Sequence, residues 1–314
     1  MKALVTGAAG FIGSSLSDEL LRLGFKVKGI DNLTPYYDIN LKHRNMSLAQ
    51  QSRFFEFEQI DLAVDELHGV LSDIEWIFHL AGQAGVRSSW GNEFQDYTNW
   101  NILATQRLLE ASKKQNGIKA FVAASSSSIY GNVSDSVSEL DLPKPISPYG
   151  VSKMAAEHLC TLYGTQFGVP TVSLRYFTVF GPRQRPDMAI NRIIHAALNE
   201  SKFSVLGDGT QERDFTYVSD VVNATIKAAY FATTNSQPGE CFNIAGGTIS
   251  SLNRTIAIVE EILRKPIDVE YIQKSIGDPH KTFANTDKAK LLLGWQPEMA
   301  FRTGIENQIS YQSM

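Results

Sequence analysis

The most constraining feature of this sequence is a glycine turn between a short apolar run and a helical stretch. The turn reads TGAAGFIG and contains Gly7, Gly10 and Gly13. KALVT precedes it with the composition of a buried strand, and SSLSDELLRLG follows it with helical apolar spacing. Glycines at such a junction allow a tight turn and let the backbone approach a pyrophosphate at the positive helix N-terminus. The spacing is G-x-x-G-x-x-G rather than G-x-G-x-x-G, so the prediction of a dinucleotide site depends on this placement.

Short apolar runs alternate with helical stretches through the first half of the chain. The predicted strands are KALVT, KVKGI, FEFEQI, WIFHLA, AFVAAS and TVSLRYF. This βαβα order predicts an α/β fold with a doubly wound parallel Rossmann sheet. Beyond residue 180 the pattern is less regular, and we expect a smaller C-terminal domain over the carboxyl edge of the sheet, where ligands bind. We predict a cofactor domain over residues 1–174, with returns near 213–246, and a second domain from 175–212 and 247–314.

Composition limits the function classes. The 314 residues are 43% hydrophobic and 20% charged, with a net charge of −4 and no long basic run, which disfavours nucleic-acid and membrane-surface partners. Two cysteines argue against a disulfide scaffold and fit a reducing compartment. No stretch approaches the roughly 18 apolar residues of a membrane helix, and no histidine has metal-ligand spacing. We therefore predict a cytoplasmic protein without a metal.

Polar residues follow several of the predicted strands. Asp31 and Asn32 come after the second strand, where an acid binds both hydroxyls of an adenosine ribose and repels a 2′-phosphate. This pattern favours NAD over NADP, although without the glycine turn Asp31-Asn32 would read as a simple turn. Asp61 ends the third strand, within reach of the adenine, while Ala81 and Gly82 after the fourth strand leave room for the cofactor. His79, at the end of that strand, is interpreted as a structural histidine.

The segment SPYGVSK places a tyrosine and a lysine one helical turn apart. Ser147 is a suitable N-cap and Pro148 suits the first turn of the helix. Tyr149 and Lys153 are therefore neighbours on one helix face, whatever their purpose. On its own the pair is compatible with an ordinary half-exposed helix or with a phenol and an ammonium placed for proton transfer.

Several motifs together resemble one protein family. TGAAGFIG, HLAG, SSSSIYG and YGVSK resemble the extended short-chain dehydrogenase/reductase family over nearly the whole chain. LRYFTVFGPRQRPDMA and GDGTQERDFTYVSDVV resemble its nucleotide-sugar branch, especially the UDP-sugar 4-epimerases. The resemblance implies an NAD-dependent isomerase that acts on a UDP-sugar, with the second domain binding the sugar nucleotide.

The same resemblance implies roles for particular residues. Tyr149 matches the catalytic tyrosine, Lys153 its partner and Ser126 the hydroxyl that hydrogen-bonds the substrate. The pKa of a free phenol is about 10, and a base that works near neutrality needs a pKa nearer roughly 7. An adjacent ammonium and the positively charged nicotinamide both favour the phenolate. The family also suggests Asn101, Phe177 and Thr178 near the ligands.

The motifs and the resemblance together predict two sets of contacts. The predicted cofactor contacts are Gly7, Gly10, Phe11, Ile12, Gly13, Asp31, Asn32, Asp61, Leu62, Leu80, Ala81, Gly82, Asn101, Tyr149, Lys153 and Tyr176. The predicted substrate contacts are Arg87, Ser127, Ser128, Thr178, Val179, Arg185, Arg192, Gln211, Arg213 and Asp278. Arg213 is expected on the diphosphate. Asp278 follows a segment, KSIG, that lacks an arginine often found there, so an exposed turn is an equal interpretation.

The branches of the family differ in the reaction. The 4,6-dehydratases carry an Asp-Glu pair where this chain has Ser127 and Ser128, which cannot shuttle protons for elimination. The 3,5-epimerase/reductases need further acid and base groups, and neither cysteine lies at that position. A 4-epimerase needs only proton transfer by Tyr149, hydride transfer to NAD, rotation of the 4-keto sugar and return of the hydride. Because NAD is regenerated, we expect it to stay tightly bound.

The segments NLTPYYDINLKHRN and HLAGQAGVRSS resemble UDP-glucuronate 4-epimerases. An arginine fork suits a carboxylate, so Arg87, Arg185 and Arg192 are candidate partners, with Arg185 preferred. UDP-glucose/UDP-galactose epimerisation is the main alternative. UDP-glucuronate decarboxylation also stays open, because the 4-keto intermediate is a β-keto acid. A non-catalytic dinucleotide sensor is disfavoured by the intact proton-transfer residues.

Relatives in this family commonly dimerise through two helices per subunit. The corresponding stretches here are residues 103–109 and 154–163. We predict a homodimer on this resemblance, although the apolar faces of these helices are also compatible with ordinary core.

Overall fold

The computed structural model describes residues 1–67, 69–235, 237–273, 277 and 279–314. Its strands are β1 (Lys2–Thr6), β2 (Lys26–Asp31), β3 (Phe55–Gln59), β4 (Trp76–His79), β5 (Ala120–Ser126), β6 (Thr171–Tyr176), β7 (Thr178–Phe180), β8 (Phe203–Leu206), β9 (Glu212–Tyr217), β10 (Glu240–Ile244), β11 (Thr248–Ser251) and β12 (Val269–Ile272). Its α-helices are α1 (Phe11–Arg22), α2 (Ile39–Met46), α3 (Phe94–Tyr97), α4 (Ala104–Ser112), α5 (Pro148–Phe167), α6 (Ala189–Leu198), α7 (Val218–Thr234), α8 (Leu252–Leu263) and α9 (Phe301–Gln312). A π-helical turn, Thr98–Leu103, joins α3 to α4.

Seven strands form the central sheet in the order β10-β6-β5-β4-β1-β2-β3, and every pairing is parallel. The predicted doubly wound parallel sheet is confirmed, and each of the six predicted strands occurs. The seventh strand, β10, was not predicted, because its short sequence ECFNI lies in the less regular half of the chain. The strand order reverses between β1 and β4, and in such sheets a crevice for ligands opens at that point.

The apolar residues of β1 show how the two faces of the sheet are covered. Ala3 and Val5 pack in a cluster with Leu16 and Leu20 of α1, whereas Leu4 packs in a second cluster with Leu108 of α4. Side chains alternate between the faces of a strand, so helices on both sides make the strand apolar at every position. This arrangement explains why KALVT and WIFH read as continuous apolar runs.

The remaining strands form two smaller sheets, β11-β9-β7 and β12-β8. The loop between β7 and α6 is held by two buried glutamines. Gln308 of α9 accepts a hydrogen bond from the Gly181 backbone N–H at 2.8 Å and donates to Gln184 Oε1 at 2.8 Å. The C-terminal helix thereby fixes the loop that contains Arg185. Within the described part of the chain, none of the helices is both long enough and apolar enough to span a bilayer.

Candidate active site

A cavity of about 630 Å³ opens at the carboxyl edge of the central sheet. The glycine turn, the loops after β2, β3 and β4, the end of β5, the start of α5 and the segments after β6 all contribute to its walls. All of the predicted site residues in the described part of the chain line this cavity except Asn101 and Arg213. Asp278 lies outside the described residues.

The glycine turn has the shape that a pyrophosphate site needs. Gly7 has a φ of +70°, and a Cβ on Gly7 would lie 2.9 Å from the Ala81 backbone nitrogen. A Cβ on Gly13 would lie only 2.1 Å from the Gly7 carbonyl oxygen. Gly10 is the N-cap of α1, so the positive N-terminus of this helix opens on the cavity. These residues fit the pyrophosphate of a dinucleotide.

The Asp31 carboxylate joins the glycine turn to the loop after β2. It accepts hydrogen bonds from the backbone N–H groups of Ala9 at 3.2 Å and Leu33 at 2.8 Å. The Nζ of Lys42 lies 3.6 Å from Asp31 Oδ1, and both side chains are buried. Asp31 is therefore fixed in the wall of the cavity, where a carboxylate fits the two hydroxyls of a ribose.

The Asp61 carboxylate is held by three donors. Its Oδ2 accepts from Asn32 Nδ2 at 3.1 Å and Trp100 Nε1 at 3.0 Å, and its Oδ1 accepts from the Ala63 N–H at 2.8 Å. These three hydrogen bonds fix the orientation of the carboxylate in the cavity wall.

Asn101 lies behind the cavity wall in the π-helical turn. Its Nδ2 donates to the Gln83 carbonyl at 3.0 Å and to Ser152 Oγ at 2.9 Å, and its Oδ1 is buried without a partner. A Cβ on Gly82 would lie 2.6 Å from that Oδ1. The packing of Asn101 therefore explains why residue 82 is a glycine.

Helix α5 presents the predicted catalytic pair. It begins as the sequence indicates, with Ser147 Oγ accepting from the Gly150 N–H at 3.1 Å and Pro148 in the first turn. A Cβ on Gly150 would lie 2.5 Å from the Ser128 carbonyl oxygen, so the helix start packs tightly against the residues after β5. Tyr149 and Ser126 both line the cavity, and the Ser126 side chain acts to lower the pKa of Tyr149.

The ionisation of the pair is set mainly by burial. Burial lowers the pKa of Lys153 to about 8, and its Nζ donates to the Ala124 carbonyl at 2.9 Å. Burial raises the pKa of Tyr149, while the hydrogen bond with Ser126 and the positive charge of Arg185 act in the opposite direction. Ser126 and Arg185 therefore both favour the phenolate. The effect of the Lys153 charge on the phenol pKa stays a prediction.

His79 is the satisfied strand-end histidine that the sequence indicates. Its Nδ1 and Nε2 lie 2.9 Å from Thr6 Oγ1 and Thr105 Oγ1. Burial, together with the charge of Lys153, lowers its pKa to about 3, so the ring is neutral near pH 7.

The three candidate arginines differ in their surroundings. Arg185 donates from Nε and Nη2 to the two carboxylate oxygens of Asp187, both at 2.9 Å. Arg192 lies over the Phe203 ring, with 5.3 Å from Cζ to the centroid, and Arg87 is exposed at the cavity edge. The positive charge of Arg185 acts to lower the pKa of Tyr149, and among the three arginines this effect connects Arg185 to the catalytic pair.

Arg213 lies outside the lining. Its Nη1 donates to the backbone carbonyls of Glu212 at 2.8 Å and His280 at 3.4 Å. The predicted contact of this side chain with a diphosphate therefore stays a prediction.

Two tyrosines and an aspartate in the cavity wall were not singled out from the sequence. The ring of Tyr36 lies 5.9 Å from the Arg185 guanidinium carbon, and a Cβ on Gly85 would lie 2.6 Å from the Tyr36 hydroxyl. Burial, with the negative charge of Asp31, raises the pKa of Tyr37 to about 12. Asp187 pairs with Arg185. Their sequence signals were present in NLTPYYD and RPDMA, but neither segment shows which partners these side chains find.

Comparisons with known proteins agree with this geometry. Residues 3–245 match the model of the NAD dependent epimerase/dehydratase family. The chain is 42% identical to the "Uncharacterized UDP-glucose epimerase YtcB" of Bacillus subtilis (strain 168), over 100% of this chain and 98% of that protein. It is 39% identical to the UDP-glucuronate 4-epimerase of Thermodesulfobacterium geofontis (strain OPF15), over 98% of this chain and 95% of that protein.

A solved structure shows the same likeness. The UDP-glucuronic acid 4-epimerase from Bacillus cereus, in complex with UDP-glucuronic acid and NAD, superposes with a TM-score of 0.96 at 42% identity. The match covers 100% of this chain and 99% of that one.

The chain belongs to the NAD dependent epimerase/dehydratase family. The resemblance to the extended short-chain dehydrogenases/reductases is therefore confirmed, as are the predictions of NAD as the cofactor and of an NAD-dependent enzyme of the epimerase class.

Proposed function

We propose that this protein is a UDP-sugar 4-epimerase that converts UDP-glucuronate to UDP-galacturonate. The observation that carries the proposal is the position of Arg185. This residue lines the same cavity as Tyr149, and its positive charge acts to lower the pKa of the Tyr149 phenol. A guanidinium there can bind the carboxylate at C6 of the sugar while the phenol reaches the adjacent C4 hydroxyl. The Bacillus cereus relative binds both UDP-glucuronic acid and NAD.

The three proposed catalytic residues have separate tasks. Tyr149 removes the proton of the C4 hydroxyl and later returns it. Ser126 hydrogen-bonds the phenol and positions the substrate hydroxyl beside it. Lys153 carries its charge beside the nicotinamide ribose and keeps the phenol in place. Bound NAD accepts the C4 hydride, returns it to the opposite face, adds a positive charge that favours the phenolate, and is retained through the cycle.

The proposed cofactor site follows the carboxyl ends of the strands. Gly7, Gly10 and Gly13 with the N-terminus of α1 bind the pyrophosphate. Asp31 binds the adenosine ribose and Asp61 lies at the adenine. The rest of the proposed set is Phe11, Ile12, Asn32, Leu62, Leu80, Ala81, Gly82 and Tyr176. Asn101 does not line the cavity itself. Its amide donates to Ser152 and to the backbone carbonyl of Gln83, next to Gly82, and so supports the cavity wall from behind.

The proposed substrate contacts line the same cavity as Tyr149. They are Arg87, Ser127, Ser128, Thr178, Val179, Arg185, Arg192 and Gln211. The serines stand where a dehydratase needs an acid and a base, so the 4-keto intermediate meets no group that would eliminate water. Charged hydrogen bonds from Arg185 keep the carboxylate solvated, which opposes loss of carbon dioxide from the β-keto acid.

UDP-glucose is the second candidate substrate, and one observation favours it. The charge of Arg185 is already balanced by Asp187, so the cavity does not require an anionic sugar. The Bacillus subtilis relative carries a UDP-glucose epimerase name.

Turnover by the purified protein tests the proposal. We expect UDP-glucuronate, without added NAD, to yield UDP-galacturonate on chromatography, and Tyr149→Phe to lower the rate by about 10³-fold, within the range for a lost acid–base group. Tyr230→Phe, at an exposed position on α7, is the matched control and should keep the native rate.

The other products separate the alternatives. UDP-xylose or a 4-keto pentose would mean decarboxylation. Interconversion of UDP-glucose and UDP-galactose alone would mean that Arg185 does not select the substrate. Absence of turnover with every sugar would favour a dinucleotide sensor.

We also propose that the protein is a homodimer. Leu103, Val151 and Leu162 are 42%, 42% and 49% exposed, respectively, on the segment before α4 and on α5. The two elements pack against each other, and exposed apolar side chains on them favour burial against a second copy. Val151 lies just outside the predicted stretches 103–109 and 154–163. Leu108 and Cys160, which lie within them, are ordinary core.

Two further proposals concern location and domains. We propose a cytoplasmic protein, in keeping with Cys160 and Cys241 as free thiols. We also propose residues 1–174 with returns near 213–246 as the cofactor domain, and 175–212 with 247–314 as the substrate domain. The position of α7 and β10 on the central sheet supports this division, although β9 belongs to one of the smaller sheets.

A further inference from the structure

The ion pair between Arg185 and Asp187 forms part of the cavity wall. Arg185 Nε donates to Asp187 Oδ1 and Nη2 donates to Oδ2, both at 2.9 Å, and both residues line the cavity. This is a bidentate pair, in which the carboxylate occupies one whole edge of the planar guanidinium. The Arg185 side chain is 20% exposed and that of Asp187 is 41% exposed, so the carboxylate keeps contact with water while the cation is largely enclosed.

The pair decides which edge of Arg185 a ligand can use. A guanidinium carries five N–H groups, and Asp187 takes the Nε group and one on Nη2. One N–H group of Nη1 and the second one of Nη2 form another fork that matches a carboxylate. The ring of Tyr36 lies 5.9 Å from the guanidinium carbon, so its face is a second neighbour of the cation. A substrate carboxylate can therefore bind Arg185 without displacing Asp187.

The pair also affects the energetic cost of binding a sugar that has no charge. A bound sugar covers the guanidinium and removes its remaining water, and an enclosed cation without a counter-charge is costly. With Asp187 in place the cation already has a partner, so a neutral hydroxymethyl group can cover it without that cost. The carboxylate of a glucuronate gains less than it would from an unpaired arginine, because Asp187 competes for the same charge.

We propose that Asp187 is a positioning and specificity-determining residue that makes the sugar site accept both a carboxylated and a neutral UDP-hexose. It acts through Arg185, by fixing the edge that faces the ligand and by balancing the charge. The inference rests on the proposed function, because it concerns the sugar subsite of that reaction.

Binding measured without turnover tests this role. Tyr149→Phe protein holding its NAD is titrated calorimetrically with UDP-glucuronate and with UDP-glucose, and the ratio of the two dissociation constants is the readout. In Tyr149→Phe/Asp187→Asn we expect the ratio to move about tenfold toward UDP-glucuronate, as expected when a charge pair in a binding site is broken. Asp187→Glu keeps the charge, and the ratio should stay within about threefold of the parent.

A charge-matched control separates this local effect from net charge. Asp135→Asn makes the same change in charge at an exposed position outside the cavity lining, and it should leave the ratio unchanged. Far-ultraviolet circular dichroism and NAD content show that each variant is folded. If Asp187→Asn does not fold, Asp187→Ala, which removes the same charge, is titrated in its place.

Three results would overturn the proposal. One is equal weakening of both ligands in Asp187→Asn, which would indicate a structural role only. Another is an unchanged ratio, or a shift toward UDP-glucose. The last is no measurable UDP-glucose binding to the Tyr149→Phe parent. None of these depends on catalysis. A native protein that forms no UDP-galacturonate would refute the proposed epimerisation, while the titrations would still report on Asp187.

Discussion

Asp18 of helix α1 and Arg183 of the loop before α6 form an ion pair, with Nη2 and Oδ2 2.7 Å apart and side chains 17% and 16% exposed, respectively. The pair joins the helix that follows the glycine turn to the loop that contains Arg185. It is not fully satisfied, because Asp18 Oδ1 and Arg183 Nη1 are buried without partners. Burial raises the pKa of Asp18 although Arg183 acts to lower it.

Removing one partner of this pair should cost more than removing both. Arg183→Ala leaves an enclosed carboxylate and should lower the free energy of unfolding by about 2–3 kcal/mol. The Asp18→Ala/Arg183→Ala double variant should lose clearly less than the sum of the single losses. Chemical denaturation of the four proteins of this cycle measures the difference, and strictly additive losses would contradict the coupling.

Arg183 also has a φ of +68°, in the left-handed region that favours glycine. Arg183→Gly should therefore be about 1 kcal/mol more stable than Arg183→Ala, because both variants lose the ion pair but only glycine relieves the backbone strain. The same denaturation experiment makes this comparison. Equal stability of the two variants would argue against strain at this position.

We expect a small substitution in the glycine turn, Gly13→Ala, to weaken NAD binding. In Gly13→Ala the new methyl group would lie 2.1 Å from the Gly7 carbonyl oxygen, so the turn or the helix must shift. Forced packing of this kind typically costs about 1–3 kcal/mol, enough to lower NAD affinity by about tenfold or more. The absorbance of cofactor released from the purified protein measures its NAD content. Gly117→Ala is the control, since its methyl group would meet only the Ile74 carbonyl oxygen at 3.9 Å, and it should keep the native content.

We expect the buried Asp214 side chain to make the folded protein less stable as pH rises from about 4 to 6. It is fully buried in β9, and burial raises its pKa from 3.8 to about 6. Between these two values the folded protein binds more protons at this site than the unfolded chain, so its contribution to stability falls as pH rises. Relative to the native protein, Asp214→Asn should thus gain about 2–3 kcal/mol between pH 4 and pH 7.

Denaturation of both proteins at a series of pH values checks the Asp214 prediction. The difference in unfolding free energy between the two proteins, followed with pH, removes any constant packing effect of the amide. A difference that stays constant over this range would show that Asp214 is ionised normally.

The proposed dimer predicts a change of mass on one substitution. Leu162→Arg places a charge among the exposed apolar residues of α5. Burial of that charge in an interface would cost several kcal/mol, which is enough to prevent the dimer from forming. Light scattering should then show a dimer for the native protein and a monomer for the variant. Leu142→Arg, at a side chain that is 73% exposed in a loop, should leave the dimer intact. A native monomer, or a Leu162→Arg dimer, would refute the proposal.

Features with a local cause could be predicted from the sequence. Six of the seven strands of the central sheet were predicted from short runs in the sequence, and the glycine turn was predicted from its place between a strand and a helix. The start of α5 follows from Ser147 and Pro148, and one helical turn necessarily brings Tyr149 beside Lys153. The family motifs added what spacing alone could not decide, namely that this pair belongs to an active site.

Only the tertiary structure decided which side chains meet across the cavity. Tyr36 and Arg185 are far apart in the chain, and Asp18 meets Arg183 only because α1 packs beside the substrate loop. Asn101 falls behind the wall rather than in it, because a π-helical turn places it against Gly82. Arg185 and Asp187 are two residues apart, and their bidentate pair lies in a loop that the buried glutamines Gln184 and Gln308 hold. Local spacing determines which residues share an element, whereas long-range packing determines which charges are paired and which remain for the substrate.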